Sequence, residues 1–423
     1  MKRTNLTVHR ERAILVGVDT AGPRPAGAGD YFDELAQLAR TAGAVVMDRV
    51  VQRRPKIDVA TYVGTGKAKE IADLALDLDV DVVIFDNDLL PAQVRNLEEA
   101  IKLKVIDRTE LILDIFATHA RSKQAKLQVE LAQLEYALPR LKRMWTHLSR
   151  QEGGVGIGQR GPGEKQIEVD RRLARKRVAD LKRELADIEA RKLREVAARS
   201  QNFTVALVGY TNAGKSTLMN ALSGTQELVE DRLFSTLDTK THVWELPDGQ
   251  KVLLSDTVGF IRDLPHQLVA SFHATLEEVL HADLLLHVVD AGSPHAEEQI
   301  DAVNGVLKEI SCQNVPTVLL LNKTDLLEDR LPLQIHMRLH PEAIPVSALR
   351  REGLEQIASA VARRMRERQA EIELHVPVTN GRALALIADR GRILSKRLEG
   401  EVMIVRALLP LREVAKLKEF RKG

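Results

Sequence analysis

The sequence predicts an α/β protein in four parts. Residues 1–120 read as an N-terminal α/β domain, 121–200 as a long antiparallel helical hairpin, 201–369 as a second α/β domain with a mainly parallel sheet, and 370–423 as a small α+β domain. Three observations lead there. β-Branched runs alternate with helical stretches up to residue 118 and again from 202 to 368, the pattern of strands joined by crossover helices. Between 121 and 200, apolar residues fall at steps of four and three on both sides of a glycine-rich run. The apolar run Phe203 to Val208 leads straight into a glycine loop and a helix start. A chain of 423 residues exceeds one ordinary core, so about three domains are expected, each able to bury a core of its own.

In the first domain Ala13 to Asp19, Val45 to Val51, Val80 to Asp86 and Lys104 to Asp107 read as strands. The GTGK run at Gly64 to Lys67 lacks the four-residue spacer and the following Ser or Thr of a phosphate loop, and so predicts a plain turn before a helix. One hairpin seam is Leu127, Leu131, Leu134, Leu138, Leu141, Trp145 and Leu148; the other is Ile167, Ala174, Val178, Leu181, Leu185 and Ile188. Six glycines from Gly153 to Gly163 separate them, too many for a helix to continue. At about 1.5 Å per residue the first helix would be roughly 40 Å long. Pro139 within it removes a backbone donor and should bend or divide it. In the last part, Ile372 to Val378 and Glu401 to Arg406 read as strands, with helices between and after them.

Hydrophobic residues at 44% and charged residues at 29% are those of a soluble globular chain. Nowhere do eighteen apolar residues follow one another, and no cleavage pattern opens the sequence. Export and membrane insertion are therefore not expected, and the chain reads as cytosolic. A single cysteine, Cys312, excludes an internal disulfide and reads as a core residue. Net charge is +2, but residues 121–200 carry +9 and the remainder −7. A basic segment of that size points to an anionic partner, nucleic acid first. Aromatics at 3% argue against a base-stacking platform, leaving phosphate contact and shape. The two seams can satisfy each other within one chain, which favours a monomer.

The run GYTNAGKST places Gly209, Gly214, Lys215 and Ser216 at G-x-x-x-x-G-K-S spacing, between a strand and a helix. Backbone N–H groups from Gly209 through Tyr210, Thr211, Asn212, Ala213 and onward to Thr217 would cradle a β-phosphate. Lys215 would reach the β and γ oxygens, and Ser216 would ligate Mg2+. Downstream the strand Lys251 to Ser255 ends in Asp256, Thr257, Val258 and Gly259. There a carboxylate can hold the magnesium through water, and the Gly259 amide can sense a γ-phosphate. FSTLDT lies between, comprising Phe234, Ser235, Thr236, Leu237, Asp238 and Thr239. Thr236 is placed to complete the magnesium shell when the γ-phosphate is present, with Thr239 the competing candidate.

The base is indicated by NKTD. The Asp325 carboxylate can accept from both N1 and N2 of guanine, a donor pair that adenine lacks, while Asn322 tethers the loop and the Lys323 stem can cover the base beside Thr324. After the strand Ile344 to Val346, the residues Ser347, Ala348 and Leu349 can offer a backbone amide to guanine O6. The implied chemistry is transfer of the γ-phosphoryl of GTP to water with release of GDP, carried by Lys215, Thr236, Asp256 and Gly259. Phe260 follows Gly259 and cannot orient water by hydrogen bonding, so intrinsic hydrolysis should be slow until a rearranged switch or a bound partner completes the site. His242, His266 and His273 read as ordinary surface or packing residues.

The order of an α/β domain, a basic hairpin tipped by GGVGIGQRGPGE, then GYTNAGKS, FSTLDT, DTVGF, NKTD and SAL resembles the HflX family of ribosome-associated GTPases over nearly the whole chain. The GTPase motifs alone point to translation-factor-related GTPases; the glycine-rich loop before QIEVDRR is the family-specific part. The resemblance favours Thr236 over Thr239. It implies binding to the large ribosomal subunit and its RNA, with the glycine tip directed into that RNA and the GTP state favouring the bound form. It also implies separation of stalled or idle ribosomes, often linked to stress. Arg160 and Lys165 beside the tip are the expected phosphate contacts. The family is also credited with ATP use through its N-terminal region, for which GTGK offers no support. Two other readings are a ribosome-assembly GTPase and an RNA-binding adaptor in which nucleotide only locks a conformation.

Overall fold

Strands β1 (Arg12–Asp19), β2 (Val45–Arg53), β3 (Val82–Phe85) and β4 (Lys104–Asp107) form a parallel sheet in the order β2-β1-β3-β4. Helices α1 (Asp33–Thr41), α2 (Thr65–Asp77) and α3 (Pro91–Ile101) connect them. Helix α4 (Arg108–His119) leaves β4 without a loop, because Asp107 turns the chain by accepting from the Glu110 amide as N-cap. The computed structural model describes residues 10–19, 32–144, 162–199, 202–225, 233–234, 239–262 and 278–421.

Residues of β1 alternate between two apolar clusters, as a strand covered on both faces requires. Ile14 and Val16 join Ile71 of α2 and Leu97 of α3. Ala13 and Leu15 face α1 and α4 in a cluster that continues into Tyr210, Phe234, Val258, Phe260 and Ile261. One side of the N-terminal sheet thus shares its core with the phosphate-loop segment, while the other packs in a cluster of its own. GTGK starts α2, with Gly64 as N-cap and Lys67 paired to Glu70 at 2.7 Å, the plain helix start that the spacing predicts.

Helices α5 (Lys123–Met144) and α6 (Pro162–Arg199) form the hairpin. Leu127 and Leu131 are buried against Leu181 and Leu185, flanked by Leu134, Val178 and Ile188. Burial of each such leucine contributes about 1.5–3 kcal/mol. The pairs Lys123–Glu184 at 3.8 Å and Arg177–Glu130 at 2.7 Å fit an antiparallel arrangement. Of the two outcomes expected at Pro139, division does not occur: α5 runs through it as one helix of 22 described residues, roughly 33 Å long. Tyr136 and Arg140, on either side of the proline, are both hydrogen-bonded to Asp107, which fixes the helix across the missing donor. Trp145, Leu148 and the tip with Arg160 lie outside the described residues, and Lys165 stands in the first turns of α6.

A second sheet follows, from β5 (Phe203–Gly209), β6 (Lys240–Glu245), β7 (Lys251–Asp256), β8 (Leu284–Asp290), β9 (Thr317–Asn322) and β10 (Ile344–Pro345), ordered β10-β9-β8-β5-β7-β6. Strands β5, β8, β9 and β10 are parallel, so their carboxyl ends gather on one edge, the usual place for a ligand. Helices α7 (Lys215–Ser223), α8 (Ala296–Glu309) and α9 (Leu331–Leu339) belong to this part. Cys312 is buried in the core, as expected.

The chain divides into two compact units, one of Met1–Trp244 with Leu253–Arg351 and the other of Glu245–Val252 with Glu352–Gly423. The second unit holds α10 (Leu354–Glu367) and an antiparallel sheet of β11 (Gln369–Pro377), β12 (Arg392–Glu399) and β13 (Val402–Pro410), ordered β11-β13-β12, with α11 (Gly381–Arg390) and α12 (Leu411–Lys416). Strand β12 corrects the expectation of helices alone between the two predicted strands. All eight of its residues are exposed, so no alternating apolar pattern betrays it. Among the described residues no helix is long and apolar enough to cross a membrane.

Candidate nucleotide site

Where β5 ends, Gly209 takes φ +148° and passes so close to β8 that a Cβ would stand 2.2 Å from the Val288 carbonyl oxygen. At the far end of the loop Gly214, at φ +91°, would place a Cβ 2.4 Å from Asn322 Nδ2. Only glycine fits either position. Gly214 is also the N-cap of α7, with no side chain capping the helix, which leaves first-turn N–H groups for an anion. Lys215 is buried, and its Nζ donates to the carbonyls of Gly209 at 3.1 Å and Tyr210 at 2.9 Å. Burial pushes its pKa down to about 8, against the opposing attraction of Asp256.

That value has a measurable consequence. A phosphate beside Lys215 favours the ammonium and raises its pKa. Binding of GDP at pH 8.5 is therefore expected to take up a fraction of a proton, and affinity is expected to fall as pH rises through about 8. Calorimetric titrations in two buffers of different ionisation enthalpy measure the uptake. Its absence would remove Lys215 from the phosphate.

Ser216 Oγ donates to Asp256 Oδ2 at 2.7 Å, and Asp256 is 2% exposed at the end of β7. A hydroxyl and a carboxylate held together suit a hard divalent cation such as Mg2+. Next along, Thr257 Oγ1 donates to the Leu207 carbonyl at 2.6 Å and fastens this segment to β5. Gly259 lies against the phosphate loop: a Cβ there would come within 2.8 Å of Thr211 Cα and 3.1 Å of Lys215 Nζ. Phe260 donates its amide to the Gly209 carbonyl at 3.1 Å and accepts from the Thr211 amide at 2.7 Å. Its ring is buried in the shared core, so it anchors the segment and presents nothing to water.

Phe234 enters the site through its backbone alone. Its amide donates to Thr211 Oγ1 at 2.9 Å, while its ring lies edge-on to Phe116 of α4 with centroids 4.5 Å apart. Ser235, Thr236, Leu237 and Asp238 lie outside the described residues.

Three strand ends converge on the residues expected to read the base. Asn322 Nδ2 donates to the Ala213 carbonyl at 2.9 Å, and Asn322 Oδ1 accepts from the Ala348 amide at 3.1 Å. One side chain thus clamps the phosphate loop, NKTD and SAL together. Thr324 ties its own loop to the Val346 carbonyl through N and Oγ1, at 3.2 and 3.0 Å. Asp325 Oδ1 accepts from Ser347 Oγ at 2.6 Å, a charge-assisted bond that fixes the carboxylate. In this structure the Ala348 amide donates to Asn322, whose side-chain amide thereby satisfies its acceptor as well as its donor. Leu349 is exposed. Sequence reasoning missed Asp290, whose Oδ2 pairs with Lys323 Nζ at 2.9 Å. The signal was its place at the end of β8, in register with Asn322.

A parallel α/β sheet whose strand ends gather a glycine phosphate loop, a Ser–Asp pair and an Asn–Lys–Thr–Asp loop defines a P-loop GTPase. Residues 29–117 match a family described as GTP-binding GTPase N-terminal, 119–199 GTP-binding GTPase Middle Region, and 204–323 50S ribosome-binding GTPase. The chain is 47% identical over 372 residues to the GTPase HflX of Magnetococcus marinus, covering 88% of this chain and 85% of that protein. It is 41% identical over 413 residues to the GTPase HflX of Caldanaerobacter subterraneus subsp. tengcongensis, covering 97% and 94%. The GTPase HflX of Escherichia coli is 44% identical over 354 residues, covering 83% of each. Among solved structures, a GTP-binding protein from Sulfolobus solfataricus in complex with GDP is 27% identical, covering 84% of this chain and 99% of that one, with a TM-score of 0.43. The chain belongs to the HflX family of GTPases and is a GTP-hydrolysing enzyme.

Proposed function

We propose that this GTPase works as a cytoplasmic monomer that binds the large ribosomal subunit through its basic hairpin and uses GTP to separate stalled or idle ribosomes. The observation that carries the reading is the combination, in one chain, of a guanine-type phosphate-loop site with a helical hairpin of net charge +9. The working parts are residues 1–120, 121–200, 201–369 and 370–423, with Arg160 and Lys165 at the tip against RNA phosphates.

In this reading Asp325 holds the N1 and N2 edge of guanine, and the loop amides from Gly209 to Thr217 surround the β-phosphate. Lys215 leaves the Gly209 and Tyr210 carbonyls for the β and γ oxygens. The amide of Gly259, a residue packed against Thr211 and Lys215, would meet the γ-phosphate. Ser216 and Thr236 would ligate Mg2+ and Asp256 would hold it through water, and the ion so held would neutralise charge developing on the phosphates. Water attacks the γ-phosphorus as the bond to the bridging oxygen breaks, and GDP leaves. Because the Phe260 ring is buried, a ribosomal contact or a shifted segment supplies the water-orienting group. The same burial favours one alternative, an RNA-binding adaptor that GTP merely locks.

Hydrolysis by the full chain, with and without mature large subunits at two salt concentrations, separates these. Stimulation of many-fold that weakens at high salt is expected, since the hairpin meets phosphates. Flat hydrolysis with GTP binding intact would sink the ribosome reading, and stimulation by precursor subunits alone would transfer it to assembly.

A further inference from the structure

Helix α4 touches both the hairpin and the segments that flank the phosphate site. Its N-cap, Asp107, is fully buried and accepts from Tyr136 Oη and from Arg140 at 2.9 Å, both on hairpin helix α5. Arg140 also lies over the Tyr136 ring, 3.4 Å from its centroid. The first residue of α4, Arg108, is 2% exposed. The guanidinium donates to Asp86 Oδ1 at 2.8 Å, to the Glu34 carboxylate, and to the Arg262 carbonyl at 3.2 Å, three positions beyond Gly259. The Arg262 amide donates in turn to Tyr210 Oη at 2.7 Å, and that hydroxyl donates to Glu34. Both backbone polar groups of residue 262 are thus held, one by the N-terminal domain and one by the phosphate loop. Two turns along α4, Phe116 holds the ring of Phe234, two residues before Thr236.

From this we infer that α4 positions the segments on both sides of the phosphate site and ties them to the hairpin, with Arg108 and Phe116 as positioning residues for GTP hydrolysis. Simple domain packing would be served better by apolar side chains, since burying an arginine with two carboxylates is costly in desolvation. What the guanidinium adds is direction: its planar fork reaches a backbone carbonyl of the segment after Gly259 while pairing Glu34 and Asp86. An error of about 1 Å in such a segment can cost on the order of 100-fold in rate. The inference rests on the GTPase activity alone and needs no ribosome, so its failure leaves the proposed partner untouched.

The test is basal GTP hydrolysis by full-length variants, with GDP binding as the check on folding. Arg108→Ala is expected to lower kcat about tenfold, with KM for GTP within about twofold of the parent. Arg108→Lys keeps a cation for Asp86 without the fork and should fall between. Asp107→Asn keeps the N-cap acceptor while losing the charge that Tyr136 and Arg140 meet, and should lower kcat about threefold. The double variant Asp107→Asn with Arg108→Ala is expected to be no slower than Arg108→Ala alone, because both act through one helix. If Arg108→Ala does not fold, Phe116→Leu, expected to lower kcat about fivefold, carries the same test. Unchanged or raised kcat with only thermal stability lost, or a strictly additive double variant, would overturn the inference.

Discussion

Lys215→Ala is expected to weaken binding of GTP and GDP severely, to the point of loss at the upper end of the range, while leaving the nucleotide-free fold standing. The ammonium is buried on two loop carbonyls, and burial depresses its pKa to about 8 from the ordinary 10.5. Between those values the unfolded chain binds more protons than the folded one, so this group makes stability rise with pH across that window. Below the window its charged form carries a desolvation cost, which alanine removes. The two carbonyls gain access to water in the space vacated, so melting of the nucleotide-free variant should stay within a few degrees of the parent. Nucleotide binding reverses the balance, because the same ammonium then meets phosphate oxygens. Truncating one partner of such a pair costs about 2–5 kcal/mol, or about 30-fold to several thousandfold in affinity. A fluorescent GDP analogue and thermal melting with and without GDP read both effects. Parent-like GDP affinity would remove Lys215 from the site; collapse of the nucleotide-free protein would make its role structural.

The parts of this site that were legible in the sequence are those whose spacing is dictated by close contact. Gly209 against Val288 and Gly214 against Asn322 leave no room for a Cβ, so glycine at those positions reports geometry directly. The hairpin seam was legible for a similar reason: steps of four and three place Leu127 and Leu131 on one face, and the fold buries that face against Leu181 and Leu185. Strand β12 was not legible because it buries no residue, and a strand without a covered face has no period to read. That Pro139 would not divide α5 was not legible either, for a different reason. Its cost is local, while the bonds from Tyr136 and Arg140 to Asp107 come from another element.

The largest illegible feature is the network around Arg108. Its partners lie 74 residues away at Glu34 and 154 away at Arg262, and Glu34 to Tyr210 spans 176. No local pattern can announce such contacts. They became visible only when the N-terminal sheet proved to share its apolar core with the phosphate loop.

The second large effect expected is a change of base. Asp325→Asn should weaken GTP binding by about 3 kcal/mol, roughly 150-fold, since two charge-assisted bonds to guanine N1 and N2 become one neutral acceptor and one misplaced donor. Xanthine differs from guanine in carrying a carbonyl where guanine carries its exocyclic amine, so the new Asn amide gains an acceptor, and XTP should then compete better than GTP. Ser347 Oγ, which donates to Asp325 Oδ1 at 2.6 Å, can donate equally to an Asn carbonyl and so holds the amide with its NH2 toward the base. Asn322 is untouched by the change, and its bonds to Ala213 and Ala348 keep the three loops assembled, so the phosphate end of the site should bind as before. Competition of GTP, XTP and ATP against a labelled diphosphate separates the outcomes. Retained preference for GTP over XTP would mean that guanine is read elsewhere, and the Ala348 amide, freed from Asn322 by a small rotation, would be the first alternative to examine.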